Sequence, residues 1–354
     1  MISLSFDICL EVIMKLKTQF NKFYDKIRIK NETEDLKEKR ETLEEDIKSY
    51  FPTELEKQDI QVNKSDIKIF DQGSYTYHTT INTKPYDRDV AVAIPLDIVK
   101  YDDPRKIKKM LLDSLCKVAT RTVSIKEPCV NVSYARDGKE WMHIDLPLYA
   151  LVDGTYYLAR GKEFSDVYSW EEADPKRLND VLKSILEGND QLRRMVRFIK
   201  KWRDIQYENS TRDHEIPPSI GLTFLTCDTF VNIYDGNQHD DLWELLRIMN
   251  GIKDKFVLTY NNGDLEKAVI RRRLPVVPNT DIFSKMMSSS DSYGVKFYNK
   301  LSAAINDLTD AINADDDAEA SRYVRKVFGD EFELVEKKAC TDTSFLSGRE
   351  HSFG

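Results

Sequence analysis

Three aspartates carry the chemistry this sequence is equipped for. Asp87 and Asp89 stand in Asp87-Arg88-Asp89, directly ahead of the apolar run Val90-Ala91-Val92-Ala93-Ile94. Residues two apart in a strand share a face. The two carboxylates therefore sit together, while Val90, Val92 and Ile94 face the other way and Arg88 points away from the pair. Close carboxylates repel unless a cation lies between them. Hard oxygen ligands of this kind suit Mg²⁺, which takes one or two carboxylates together with substrate phosphates. Asp145 supplies a third. The β-type runs Cys129–Tyr134 and Glu140–Pro147 flank Arg136-Asp137-Gly138-Lys139, and Asp-Gly is a strong hairpin signal. If that hairpin pairs beside the Asp87/Asp89 strand, three carboxylates converge, as a two-metal phosphoryl-transfer site requires.

The elements that position these residues begin upstream. The run Asp66–Phe70 leads as a strand into Gly73-Ser74. A glycine there lets backbone N–H groups approach a phosphate, and the Ser74 hydroxyl adds a hydrogen bond. The order Gly73-Ser74, Asp87-x-Asp89, then a lone strand Asp145 resembles the DNA polymerase β-like nucleotidyltransferases. Within that superfamily the chain resembles the bacterial cGAS/DncV-like enzymes, the CD-NTases of CBASS anti-phage systems. Arg197–Trp202, Ile216–Ile220, Val277–Ile282, Ala318-Glu319-Ala320 and Val327-Phe328-Gly329 carry the same resemblance, which spans about residues 60 to 335.

The resemblance implies an α+β fold. A polymerase β-like sheet lobe with a long N-terminal spine helix would join a helical second lobe, with the active site in the cleft between them. It implies that Lys200 and Ser219 hold the β- and γ-phosphates of the donor nucleotide. Two departures stand out. The loop reads His78-Thr79 where the family often has Gly-Thr, and Ile220 replaces the aromatic that often stacks on a base. His78 reads as a loop-packing residue more than as a phosphate contact.

Composition sets bounds. The chain has 354 residues, 41% hydrophobic and 32% charged, enough for two lobes. Formal net charge is −8 and the pI is about 5.4. Avid duplex binding needs a basic footprint, so this balance argues against activation by DNA. The zinc-bearing insertion and basic surfaces of animal cyclic GMP–AMP synthase have no counterpart in the sequence. Cys9, Cys116, Cys129, Cys227 and Cys340 form no C-x-x-C pair, which indicates neither a disulfide framework nor a zinc site. The opening ten residues lack a signal-peptide pattern, and a cytoplasmic location is expected. Met14-Lys15-Leu16-Lys17 reads as an alternative start, with residues 1–13 an extension.

Four segments are expected: 1–50, an extension and spine helix; 51–165, the nucleotidyltransferase core; 166–338, a helical lobe; and 339–354, a flexible tail. Leu36, Leu43 and Ile47 recur at helical spacing, and Phe51-Pro52 is read as the end of the first helix. A helix from Pro104 to about Ala119 covers the sheet. Between Gln191 and Asp204 an apolar face opposes Arg193, Arg197, Lys200 and Lys201, and such a basic face normally reads as solvated. Arg271-Arg272-Arg273 reads as a surface triplet or a phosphate contact. Asp315-Asp316-Asp317 reads as a helix N-terminus. A tail ending in Gly354 resembles CBASS synthases whose C-terminal carboxylate a ubiquitin-transfer-like partner enzyme (Cap2) conjugates, although an ordinary terminus would look the same.

The expected activity is synthesis of a cyclic di- or trinucleotide second messenger from NTPs, ATP among them, with Mg²⁺ or Mn²⁺ at Asp87, Asp89 and Asp145. The messenger would act on a downstream effector. Two alternatives remain open: a nucleotidyltransferase acting on a macromolecule, by RNA tailing or protein AMPylation, and a catalytically silent nucleotide sensor.

Overall fold

The computed structural model describes residues 15–29, 34–83, 85–212, 214–232 and 240–336. The Gly354 terminus and the alternative start lie outside them.

The N-terminal region forms two helices where one spine was expected. α1 (Lys17–Ile27) ends where Arg28 turns extended and bridges Ile81. α2 (Glu34–Glu56) follows. The two serve different cores: Phe20, Phe23 and Ile27 of α1 pack into the helical lobe, whereas Leu36, Leu43 and Ile47 of α2 pack under the sheet. Pro52 does not end α2, which continues one turn to Glu56. A helix-internal proline loses a hydrogen bond. Here the apolar face on both sides of it holds, since Phe51 and Leu55 are fully buried.

The sheet lobe comprises β1 (Lys68–Gln72), β2 (Tyr86–Pro95), α3 (Pro104–Leu115), β3 (Thr122–Ile125), β4 (Val130–Arg136), β5 (Lys139–Leu146), β6 (Leu148–Val152), β7 (Thr155–Arg160) and β8 (Ser169–Ala173). β2 is central and doubly flanked. β1 pairs antiparallel with it, and β5 and β6 pair parallel with it. The register across β2 is unbroken from Tyr86↔Met142 through Pro95↔Leu151. β5 and β6 are thus one long strand interrupted at Pro147, whose carbonyl still accepts from Val92 N–H at 3.0 Å. Beyond it lie β4 and β3 at one end, and β7 and β8 at the other.

Alternation settles which face is which. Val90, Val92, Ile94, Ile144 and Leu146 point into the core beneath α2 and α3. Asp87, Asp89 and Asp145 are left on the opposite face.

The helical lobe contains α4 (Pro175–Leu186), α5 (Asp190–Gln206), α6 (Ser219–Thr229), α7 (Asp241–Lys253), the hairpin β9 (Val257–Asn261) and β10 (Asp264–Val269), α8 (Ser284–Ser289), α9 (Asp291–Asn313) and α10 (Asp317–Phe328). Its core closes around aromatic rings from both ends of the described chain. Phe20 lies 5.6 Å from Phe198 and 5.1 Å from Phe332. Asp316 caps α10, its carboxylate accepting from Glu319 N–H at 2.7 Å, as the acidic run suggested. No described helix is long and apolar enough to cross a membrane.

Candidate active site

Asp89 and Asp145 are direct register partners on the parallel strands β2 and β5, and Asp87 sits opposite His143. One carboxylate oxygen from each of the three aspartates lies within 4.8 Å of the others. That convergence is the one expected from the spacing. Burial and the charges of Asp87 and Asp145 push the Asp89 carboxyl up to about 8. A metal-free site therefore keeps a proton here that a divalent cation would displace. The donor set is all oxygen and partly solvated, which fits a hard cation such as Mg²⁺ or Mn²⁺.

Gly73 packs directly against this site. Its backbone is left-handed (φ 70°). A Cβ at that position would lie 2.1 Å from Asp89 Oδ2. Glycine is required twice over: for the turn out of β1 and for the space Asp89 occupies. Ser74 is fixed by its hydroxyl, 3.2 Å from that of Thr80, and by its carbonyl, which accepts from Thr79 N–H at 2.9 Å.

A ring of polar side chains outside the carboxylates holds two of them. Asn131 donates to Asp145 Oδ1 at 2.6 Å, and Lys126 reaches the same oxygen at 3.2 Å. Ser133 lies 3.1 Å from both Asn131 Oδ1 and Glu140 Oε1. Glu140 contacts His143 Nδ1 at 3.0 Å, and His143 Nε2 meets Asp87 Oδ1 at 3.2 Å. The Asp87 contact raises the His143 pKa above its ordinary value, against the opposing effect of burial. Sequence reasoning gave no role to His143, Asn131, Ser133 or Lys126.

Residues 67–149 match the family model for the cyclic GMP-AMP synthase DncV-like nucleotidyltransferase domain. Over these residues the chain is similar to a DncV-like nucleotidyltransferase domain. The matched stretch contains Gly73, Ser74 and all three aspartates, and it bears out the family resemblance read from the sequence. The fold agrees over nearly the whole chain. It is similar to Vibrio cholerae DncV cyclic AMP-GMP synthase, described as a prokaryotic cGAS homolog: TM-score 0.64, 18% identity, 89% of this chain and 97% of that chain covered. The same enzyme in complex with the linear intermediate 5′ pppA(3′,5′)pG gives a TM-score of 0.65 at 18% identity, covering 92% and 100%. Escherichia coli DncV bound to 3′-deoxy GTP gives 0.62 at 18%, covering 88% and 97%.

The second lobe grips the loop of the DncV-like domain that follows Ser74. Arg197 on α5 donates to the carbonyls of His78 and, at 3.2 Å, Thr80, and to Tyr24 Oη of α1 at 2.7 Å. Lys200 Nζ donates to Thr79 O at 3.2 Å and Thr79 Oγ1 at 3.1 Å. Burial, with the charges of Arg203 and Arg197, pushes Lys200 down to about 7. The α5 face, which helical spacing alone reads as solvated, is closed at three of its four basic positions: Arg197, Lys200 and Lys201 are buried, the last paired with Glu331 at 2.6 Å, and Arg193 is half-buried. Loop carbonyls and one carboxylate supply partners that the helix alone cannot reveal.

His78 is exposed, not packed in the loop. Its backbone is left-handed (φ 56°), with its carbonyl turned toward Arg197. Ser219 opens α6 after Pro218, and Ile220 packs with Phe224 against the Tyr77 cluster. Ile220 is thus spent on packing. Of the arginine triplet, Arg272 pairs with Asp228 at 2.8 Å and stacks on Phe224, which accounts for it structurally.

Proposed function

We propose that this protein is a divalent-metal-dependent nucleotidyltransferase that makes a cyclic di- or trinucleotide messenger from NTPs, ATP among them, in anti-phage signalling. The observation that carries this reading is the convergence of Asp87, Asp89 and Asp145 beside Gly73, inside a DncV-like nucleotidyltransferase domain. The anti-phage signalling role and the cytoplasmic setting are carried over from the sequence reading.

Asp87, Asp89 and Asp145 would hold the cations, which stabilise charge on the transferring phosphorus and lower the pKa of the attacking hydroxyl. Asp145 accepts the proton of the acceptor 2′- or 3′-hydroxyl. That oxygen bonds to the donor α-phosphorus as the α–β bridging bond breaks, and pyrophosphate leaves. Gly73 N–H and the Ser74 hydroxyl orient the departing phosphates. Ser219 is assigned to the same group, and Lys200 acts on it through Thr79 in the conformation described above. A second transfer within the linear product closes the ring.

The test incubates purified protein with each labelled NTP and Mg²⁺ or Mn²⁺, treats the products with phosphatase and resolves them by mass. A phosphatase-resistant small product, lost in Asp87→Asn, is expected. Label on RNA or protein instead would assign a macromolecular acceptor. Nucleotide binding with no pyrophosphate release would assign a silent sensor.

A further inference from the structure

The order of strands in the sheet also orders the site. On one flank of β2 lies β1, which ends in Gly73-Ser74, the donor phosphate turn. On the other lies β5 with Asp145, then β4 with Asn131, then the β3–β4 turn with Lys126 and Glu127. The donor and the base thus occupy opposite sides of Asp87 and Asp89. For an acceptor whose hydroxyl faces Asp145, β4 and that turn form the side of the site away from the donor.

Lys126 is the cation placed there. Its side chain is about half exposed, and its ammonium lies 3.2 Å from Asp145 Oδ1. The backbone beneath it is anchored. Lys126 N–H donates to Cys129 O at 2.9 Å. The fully buried Lys108 donates to Lys126 O at 3.0 Å, to Glu127 O at 2.9 Å and to Gly161 O. Glu127 meets Arg160 within the sheet lobe and Lys285 of α8 across the cleft, each at 2.7 Å. The turn is thus anchored, and it carries one half-exposed ammonium. Asn131 holds Asp145 at 2.6 Å independently of it.

Taking the proposed function as the starting point, we propose that Lys126 binds a phosphate group of the acceptor nucleotide, releasing Asp145 to the incoming cation as it does so. In the metal-free protein its ammonium stands in for that cation. A cation held by Asp145 would displace the ammonium toward the anion that an acceptor brings, its 5′-phosphates. This makes Lys126 selective for a phosphorylated acceptor over a bare nucleoside. The triad treats the two alike.

Two readouts test this on the full chain. Calcium affinity, followed by thermal shift without nucleotide, is expected to tighten about two- to fivefold in Lys126→Ala, because an exposed ion pair of this strength no longer competes. Lys126→Arg should stay near the wild type. Transfer from a fixed labelled donor is then measured to a nucleoside triphosphate and to the corresponding unphosphorylated nucleoside. Lys126→Ala should raise KM for the triphosphate acceptor about tenfold with kcat little changed, and the wild-type-to-variant ratio should shrink to within about twofold for the nucleoside. An equal loss with both acceptors, or weaker calcium binding in Lys126→Ala, overturns the assignment. If the wild type transfers nothing, the functional reading itself falls. Lys126 is then judged on calcium alone, and unchanged or weaker affinity in the variant rejects the exchange.

Discussion

Replacing Asp89 by asparagine separates the electrostatics of the site from its chemistry. The carboxyl is displaced from 3.8 to about 8 by burial and by its two acidic neighbours. An acid raised in this way keeps its proton in the native state while the unfolded chain releases it. Native stability therefore falls as pH rises from about 4 to 8. The full displacement sets an upper bound of roughly 5–6 kcal/mol, and water reaching this partly exposed site screens it to roughly 1–3 kcal/mol. Asp89→Asn keeps the shape and removes the titration. The metal-free variant should melt a few degrees higher than the wild type at pH 7.5, with the gap closing toward pH 4. Mg²⁺ should stabilise the wild type more at pH 8 than at pH 6, because binding expels the proton. It should barely move the variant, whose nucleotidyl transfer should fall by about 10²–10³-fold or more. Thermal melts across pH with and without Mg²⁺ read all of this. Parallel wild-type and variant curves from pH 5 to 8, or a variant that melts lower, would refute the electrostatic account.

Three further outcomes follow from the same contacts. Gly73→Ala puts a methyl where Asp89 Oδ2 lies and adds about 1 kcal/mol of left-handed backbone strain; the Mg²⁺-dependent melting shift should largely disappear, and a retained shift would show that Asp89 relocates freely. Arg197→Ala strips the donors from two loop carbonyls and from Tyr24 Oη; a loss of about 2–4 kcal/mol in urea unfolding and faster amide exchange across residues 76–82 are expected. Lys108 is pushed down to about 8 by burial, so the native state sheds its proton before the unfolded chain does; relative to Lys108→Met, wild-type stability should rise with pH between about 8 and 10.5, and parallel pH profiles would rule this out.

The carboxylate triad was legible because a period of two, an Asp-Gly turn and an apolar run each constrain the same face. What surrounds it was not. Counting back from the Asp137-Gly138 turn pairs Arg136 with Lys139 and Ala135 with Glu140, and on that register Asp145 would face Val130. A bulge between Tyr134 and Ala135 shifts the ladder by one, so Asp145 faces Asn131. The same irregularity at Trp141 brings Glu140 to the side of His143. Nothing local in the sequence announces the bulge. The β9–β10 hairpin did carry an Asn262-Gly263 signal, and it lay inside a region read as helical throughout. The burial of Arg197 and Lys200 depends on carbonyls more than a hundred residues away, which no helical periodicity encodes.

The placement of α1 has a consequence for how the chain is made. Residues 34–173 hold the whole sheet lobe in one contiguous stretch, with its own core. α1 precedes it, yet Phe20 and Phe23 find their ring partners in Phe198, Phe328 and Phe332. During synthesis the first helix emerges early and has no complete site to occupy until the last described residues leave the ribosome. The sheet lobe can fold while it waits, and domains generally fold as units in that order. Closure of α1 against α10 is then a late step, spanning nearly the entire length of the chain. The same helix carries Tyr24, which steadies Arg197 beside the loop after Ser74, so the loop acquires its final support only after Phe328 and Phe332 have been made.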